Sequence, residues 1–210
     1  MFIHYRTRGI VLKKTDRGEA DQLLTIYTKD FGKLEILAKA VRKISSKLRS
    51  SAQLFYLSEI EFVQGKTHKT LTDAILIDKF GNLSKDLVKL KVAYKISEDA
   101  DDLIHGQEKD PKLWHLFNEV FQKLNNYSLN AKRYTLIYHY FFWNFVSLLG
   151  YAPEILDCTL QGKKINCDIV KIIKVILKKD WQLLPRLKLE PEHLKLLKEV
   201  ADWYRVKIHT

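Results

Sequence analysis

Cysteine is nearly absent from this sequence, which has two, Cys158 and Cys167, among 210 residues. Two cysteines are too few for the set of disulfides that holds a small secreted domain together, so that class is excluded. The N-terminus also lacks the pattern of a secretory signal, because His4, Arg6 and Arg8 interrupt its apolar residues. We therefore expect a protein of the reducing cytoplasm.

Long apolar runs are missing as well. The most apolar window, residues 135–149, contains His139 and Asn144. It is shorter than the roughly 20 residues that a membrane-spanning helix needs. The window predicts a buried helix, and no membrane partner is expected.

Sequence patterns typical of catalytic sites do not occur. There is no glycine-rich phosphate loop, no His-x-x-x-His pair and no nucleophile elbow. Four acidic residues do cluster, namely Glu98, Asp99, Asp101 and Asp102. Neighbouring carboxylates on a helix point in different directions, so we interpret this cluster as a solvated helix face. We expect no enzyme activity, and an assay for metal-dependent DNA degradation would test the alternative of a nuclease.

Acidic residues are missing from one long stretch. No Asp or Glu occurs between Glu35 and Glu59, and residues 39–49, called the basic segment below, carry five cations. The formal net charge of the whole chain is +11. Clustered Lys and Arg displace the counterions of phosphates, so the basic segment predicts contact with a nucleic-acid backbone. The alternatives are a solvated mobile loop and a basic protein without a polyanionic partner.

Alternating strand and turn patterns fill the first 78 residues. The predicted strands are Ile3–Lys14, Gln22–Thr28, Leu34–Ala40, Leu54–Gln64 and Thr70–Asp78. The basic segment lies in the connection between the third and the fourth. Five short strands with one longer link match an oligonucleotide-binding (OB) barrel. Periodicity alone does not separate this barrel from an SH3-like one.

Helical periodicity replaces the strand pattern from Asn82 onward. Helices are predicted at 83–104, from Pro111 to 124, from a cap at Asn130 to 149, and at 168–179 and 191–207. The fold class is therefore α+β, with an N-terminal five-stranded OB-type barrel at 1–80 and an all-α helical domain at 81–210.

Several short motifs, in this order and spacing, resemble the RecO family of bacterial recombination mediators. The N-terminal ones are Gly9-Ile10-Val11-Leu12, Gly18-Glu19-Ala20-Asp21, Leu23-Leu24-Thr25, Phe31-Gly32-Lys33 and Ala38-Lys39-Ala40-Val41-Arg42-Lys43. The later ones are Leu54-Phe55, Leu71-Thr72-Asp73-Ala74, Leu148-Leu149-Gly150-Tyr151-Ala152-Pro153-Glu154 and Asp157-Cys158. Each motif is weak alone, and the resemblance spans essentially the whole chain.

The resemblance implies a DNA repair and recombination protein that is not an enzyme. Such proteins bind single- and double-stranded DNA and anneal complementary strands. Their partners are single-strand-binding protein, through its C-terminal tail, and RecR. They help the RecA recombinase load onto coated single strands, which implies a nucleoid-associated protein of the bacterial cytoplasm.

A departure from the family pattern concerns zinc. The family often carries four cysteines that open with Cys-x-x-Cys-Gly, whereas this chain has Cys158, then Gln161 in place of the second cysteine, and Cys167. A structural zinc needs four nitrogen or sulfur ligands. We therefore expect a degenerate module without zinc around 158–167, in which the cysteines are ordinary small residues, and no cofactor.

The candidate DNA contacts are cations of the barrel. The basic segment supplies Lys39, Arg42, Lys43, Lys47 and Arg49, and other strands and turns supply Lys13, Lys14, Lys33, Arg6 and Arg8. Phe31, at a hairpin tip, is the best candidate for stacking on a base, whereas Tyr27 and Phe55 are expected in the barrel core.

The helical domain offers a candidate partner site. Lys132 and Arg133 begin the aromatic helix, where the resemblance suggests that the acidic, apolar tail of single-strand-binding protein binds. An ordinary exposed helix start is the alternative. The rival function for the whole chain is a protein-interaction scaffold that never meets nucleic acid, and binding assays with single-stranded DNA would separate the two.

Overall fold

The computed structural model describes residues 3–127 and 131–209, apart from the side chains of Ala131, Lys132, Pro185 and His209. The cap predicted at Asn130 lies outside the described residues. The chain divides into two compact units, Met1–Asn125 and Asn126–Thr210. Within the described residues, every helix is too short or too polar to cross a lipid bilayer.

Five strands form the core of the first unit. They are β1 His4–Arg17, β2 Asp21–Thr28, β3 Gly32–Ala38, β4 Leu57–Gln64 and β5 Lys69–Asp78. They close into a barrel in the order β1-β2-β3-β5-β4, with β3 and β5 parallel and the other pairs antiparallel. This closed Greek-key order confirms the predicted OB-type barrel and resolves the SH3-like alternative.

Alternate residues of the strands fill the barrel. Leu24, Ile26, Leu34 and Ile36 are all at most 1% exposed and belong to one apolar cluster. The residues between them point outward, because successive side chains of a strand face opposite sides of the sheet. The alternation of apolar residues along the sequence, with a period of two, therefore predicts these strands correctly.

Two helices complete the first unit, α1 Leu87–Leu103 and α2 Pro111–Asn126. The carboxylates of Asp86 and Asp110 cap them by accepting hydrogen bonds from backbone N–H groups of the first turns. Pro111 follows its cap at the first helical position, as predicted.

Helix α2 packs against the outside of the barrel. The ring of Tyr27 lies 4.6 Å from that of Phe117, and the ring of Phe55 lies 5.8 Å from that of Phe121. Tyr27 and Phe55 are thus buried as expected, although they face the helix rather than the barrel interior. The first unit ends at Asn125, beyond the domain limit of 80 that the sequence predicted. Residue 80 instead lies at the change from strands to helices within that unit. As a limit between domains that fold independently, 80/81 stays a prediction.

The second unit contains α3 Ala131–Leu148, α4 Cys167–Leu177 and α5 Pro191–His209. His139 and Asn144 of α3 are at most 1% exposed, which confirms the buried helix. Three two-residue strands, β6 Ile155–Leu156, β7 Thr159–Leu160 and β8 Lys163–Lys164, form a small antiparallel sheet. Such short strands have no detectable period, so sequence patterns do not predict them.

The two cysteines form a disulfide, with Cα atoms 4.7 Å apart. It joins the turn between β6 and β7 to the first residue of α4. The expectation of two ordinary small residues was wrong, because the small sheet folds back on the start of this helix. Within residues 3–127 and 131–209, no three His, Cys, Asp or Glu side chains are grouped to hold a metal ion.

Candidate nucleic-acid interface

The basic segment is held against the barrel at both ends. The amide N–H of Ala40 donates to Asp21 Oδ1 over 2.7 Å, and that of Arg42 donates to the Ala20 carbonyl over 3.0 Å. The side chain of Val41 is 2% exposed, and Leu48 packs on the barrel core. The segment is therefore an ordered loop beside the β1–β2 turn.

Most cations of this loop face solvent without an acidic partner. Lys39, Lys43, Lys47 and Arg49 are exposed, and none makes an ion pair within the described part of the chain. The exception is Arg42, whose guanidinium lies 3.4 Å from Asp16 Oδ2. Four positive charges thus remain available to an anion.

Lys14 extends this positive surface. Its ammonium donates to Gln53 Oε1 over 2.9 Å, and Gln53 in turn donates to the backbone carbonyl of Arg49. Burial lowers the pKa of Lys14, Asp16 opposes that shift, and the positive charge of Arg49 lowers it further. Lys14 and Arg49 therefore act on each other as neighbouring like charges.

Two other candidate cations are engaged by the acidic cluster. Lys13 Nζ lies 2.6 Å from Asp101 Oδ2, and Lys33 Nζ lies 3.6 Å from Asp101 Oδ1. The hydrogen bond that Lys13 donates to the Asp101 carboxylate is the main reason that the pKa of Lys13 is raised. Asp99, in the same cluster, is 1% exposed. The cluster is thus not the solvated face that we expected, because part of it attaches α1 to the barrel.

The predicted track along β1 is divided. Arg6 lies between two acids of β4, 3.5 Å from Glu59 and 3.6 Å from Glu61. Arg8 is exposed and makes no ion pair with any described residue. The register with β4 does not explain the difference, because Arg8 lies opposite Glu59 just as Arg6 lies opposite Glu61. Only the guanidinium of Arg6 comes within ion-pair distance of these acids.

A groove of about 610 Å³ lies across the outside of β2 and β3. Its lining residues are Arg17, Gly18, Asp21, Leu23, Glu35, Leu37, Gln64, Thr67, His68, Lys69 and Gln107. They come from the β1–β2 turn, both strands, the β4–β5 turn and, for Gln107, the connection between α1 and α2. OB domains bind oligonucleotides at this combination of strands and loops.

The floor of the groove holds two leucines and the carboxylate of Glu35, and its rims are polar. Leu23 and Leu37 are register partners that face outward together and are half-buried. Arg17 and Lys69 supply positive charge at its edges, while Asp21 is shared between the groove and the anchor of the basic segment. The two features are therefore adjacent.

The sequence patterns placed Arg17 among the cations that could extend the patch, but did not identify His68 and Lys69 as groove residues. His68 and Lys69 lie where the β4–β5 turn leads into β5, and only closure of the barrel brings them to the same surface as Arg17. The signal that could have found them is the OB prediction itself, because that fold assigns ligands to the β1–β2 and β4–β5 turns.

The groove lining contains no Phe, Tyr or Trp among the described residues. Phe31 instead packs at one end of the barrel, with its ring 5.7 Å from Tyr5 and 5.6 Å from Phe62. Its geometry is that of a packing residue, so it does not support base stacking.

The candidate partner site lies at the start of α3. Arg133 is exposed there, and the side chain of Lys132 lies outside the described residues. The structure therefore brings together the basic segment, Lys14 and the groove, and leaves Arg133 in the second unit.

Comparisons with known proteins agree with the fold. A family model described as "Recombination protein O N terminal" matches residues 1–80, and one described as "Recombination protein O C terminal" matches 84–172. The curated relatives described next are each named DNA repair protein RecO. One from Dehalococcoides mccartyi is 28% identical over 92% of this chain and 86% of its own length. One from a second strain of that species is 32% identical over 79% of this chain, and one from Caldanaerobacter subterraneus is 30% identical over 77%. The aligned part covers 64% of each of these last two relatives, just under two thirds of their length.

Proposed function

This chain belongs to the RecO family of DNA repair proteins, and we propose from that premise that it is a recombination mediator rather than an enzyme. It binds single- and double-stranded DNA with little sequence preference and anneals complementary strands. The proposed location is the bacterial cytoplasm, at the nucleoid.

The observation that carries the proposal is the basic segment beside the OB groove. Four of its cations have no acidic partner among the described residues, so no ion pair has to break before they meet phosphates. Phosphate contacts release condensed counterions, which gives affinity without sequence information. The proposed contacts are Lys39, Lys43, Lys47, Arg49, Lys14 and Arg8.

The remaining candidate cations have a weaker claim. Arg6, Lys13 and Lys33 already face carboxylates, and Arg42 faces Asp16. A phosphate would compete with an acid for each of them. We propose that Lys13 and Lys33 act mainly in attaching α1, and that Arg42 mainly orders the loop.

Annealing follows from the same electrostatics. Two DNA strands repel each other, and cations that neutralise phosphates on one strand lower the cost of bringing the second strand close. The groove would hold one strand while the exposed loop meets the other. Binding energy alone is sufficient for this step, which needs no catalytic group.

The helical unit is the proposed receiver of protein partners. We propose that the acidic, apolar C-terminal tail of single-strand-binding protein binds at the start of α3, near Lys132 and Arg133. RecR is the second proposed partner, and RecA is affected indirectly through loading. The support is the family membership and the cationic helix start.

The test is a titration of labelled single strands and duplexes with the purified chain at several salt concentrations, followed by an annealing assay with complementary strands. We expect binding of both forms, an affinity that falls linearly with salt on a double-logarithmic plot, and faster annealing. Absence of binding at low salt would contradict the proposal and favour a protein-interaction scaffold. A fluorescent peptide with the partner's tail sequence tests the second unit separately, with Arg133→Ala as the variant.

A further inference from the structure

Ile44 stands at the tip of the basic segment with 92% of its surface exposed. This is the highest value among the exposed large apolar side chains of the described residues. Single exposed apolar residues are common on protein surfaces, so exposure alone has little meaning. The position of Ile44 is what makes it informative.

The backbone around Ile44 is a hydrogen-bonded turn. The N–H of Ser46 donates to the carbonyl of Lys43 over 3.0 Å, which places Ile44 and Ser45 at the two central positions. Gly, Pro, Asn, Asp and Ser dominate such positions, each for its own conformational reason. A β-branched isoleucine has none of those advantages, so neither turn formation nor burial explains it.

The turn is also held in place before any ligand binds. The N–H of Lys43 donates to the Ala40 carbonyl, and the N–H of Arg49 donates to the Ser46 carbonyl. The loop ends are anchored as described above, through Val41 and Leu48. Pre-organisation of this kind lowers the entropic cost of binding at the tip.

Cations flank the isoleucine on both sides. Lys43 precedes it, Lys47 follows three residues later, and both are exposed without acidic partners in the described part of the chain. A strand whose phosphates meet both ammonium groups passes over the turn, so its bases come within reach of the side chain between them. Isoleucine is one of the apolar side chains that DNA-binding proteins insert between bases.

We infer that Ile44 is an apolar wedge that inserts between adjacent bases of a single strand bound to the basic segment. This inference rests on the proposed DNA binding and adds to it a contact with the bases themselves. The contact is independent of sequence, because every base has an apolar face. A strand whose bases are held apart is open to pairing with its complement.

The test compares Ile44→Ser with Ile75→Ser in the full chain. Ile75 is a matched control, since it is also an exposed isoleucine, with 53% of its surface exposed, and lies on β5 outside the basic segment. Serine suits a turn, so the first variant is expected to fold normally, and its melting temperature checks this. The probe is a single-stranded oligonucleotide that contains 2-aminopurine, whose fluorescence rises when neighbouring bases unstack.

We expect Ile44→Ser to weaken binding about tenfold, close to the loss from no longer burying one isoleucine side chain. The slope of affinity against salt should stay unchanged, because no charge is removed. The fluorescence rise at saturation should be lost, whereas Ile75→Ser behaves like wild type. Ile44→Phe keeps an apolar side chain at this position, so it should retain the affinity and the rise in 2-aminopurine fluorescence that Ile44→Ser loses.

Two results would overturn the inference. If Ile44→Ser binds and unstacks the strand as wild type does, the wedge does not exist although DNA binding stands. If the unsubstituted chain fails to bind DNA at low salt, the proposed function fails, and the wedge fails with it. The two failures are therefore distinguishable in one experiment.

Discussion

Removal of Lys43 and Lys47 together should weaken the binding of single-stranded DNA in a salt-dependent way. Both ammonium groups are exposed, and neither makes an ion pair within the described residues. Each is therefore free to displace one counterion from a phosphate. The double variant Lys43→Ala/Lys47→Ala removes two such contacts and leaves the buried anchors of the loop intact.

The magnitude follows from counterion release. Each phosphate contact on a single strand contributes about 0.7 to the slope of log affinity against log salt, so the slope should fall by about 1.4. At 0.1 M salt this corresponds to a loss of about 25-fold in affinity, which should nearly vanish as salt approaches 1 M. Fluorescence anisotropy with a labelled oligothymidylate measures both quantities.

A control with the same change of charge separates local contact from overall attraction. The basic segment is anchored at the first residue of β2, whereas Lys29 directly follows the last one. An eight-residue strand is about 25 Å long, so the two lie at opposite ends of the strand. Lys112 lies in the first turn of α2. Lys109, just before this helix, pairs with Asp30 over 3.1 Å, and Asp30 belongs with Lys29 to the β2–β3 turn. Lys112 is therefore near the same end of the barrel as Lys29. Lys29→Ala/Lys112→Ala should leave the slope nearly unchanged.

Two outcomes would refute the reasoning. An unchanged slope in the basic-segment variant would remove Lys43 and Lys47 from the interface. Equal losses in the two double variants would mean that the net charge of the chain attracts DNA diffusely, without a defined site.

Three further predictions concern stability. Tyr27→Phe should stabilise the protein by about 1 kcal/mol in chemical denaturation, because the buried hydroxyl has no hydrogen-bond partner among the described groups; a loss of stability would contradict this. Cys158→Ser should lower the free energy of unfolding by about 3 kcal/mol, because it removes a disulfide that closes a loop with a sequence separation of 9. Wild type in reductant should have the same melting temperature as this variant in a thermal melt. The pKa of Asp30 lies below its ordinary value of 3.8 because Thr7 donates a hydrogen bond to its carboxylate. The ionised carboxylate therefore adds to the free energy of unfolding at neutral pH, and this contribution is lost as pH falls through the lowered pKa. Melting temperatures of wild type and Asp30→Asn should therefore converge in acid, and a constant difference would show that the charge of Asp30 is irrelevant.

Local patterns predicted the barrel strands because each depends on short-range geometry. The period of two marks β2 and β3, and the turn residues between the strands mark their ends. Asp110-Pro111 marked the start of α2 for the same kind of reason, a cap followed by proline. The two-residue strands β6–β8 escaped, since a period needs more residues than they contain.

Candidate site residues were harder to predict, because charge in a sequence carries no information about its neighbours in space. Lys13 and Lys47 look equivalent as sequence, yet Asp101 lies 2.6 Å from the first, and the second has no acidic partner among the described residues. The residues that separate Lys13 from Asp101 along the chain include four strands and most of α1. No local pattern spans that distance.

The amino-acid sequence by itself determined the order of the barrel strands and of the helices, the basic segment and the scarcity of acids around it, since these depend on neighbours along the chain. Only the tertiary structure decided which cations stay available, where the groove lies and that Cys158 meets Cys167. Those features depend on pairs of residues that are remote in sequence, and barrel closure and helix packing bring them together.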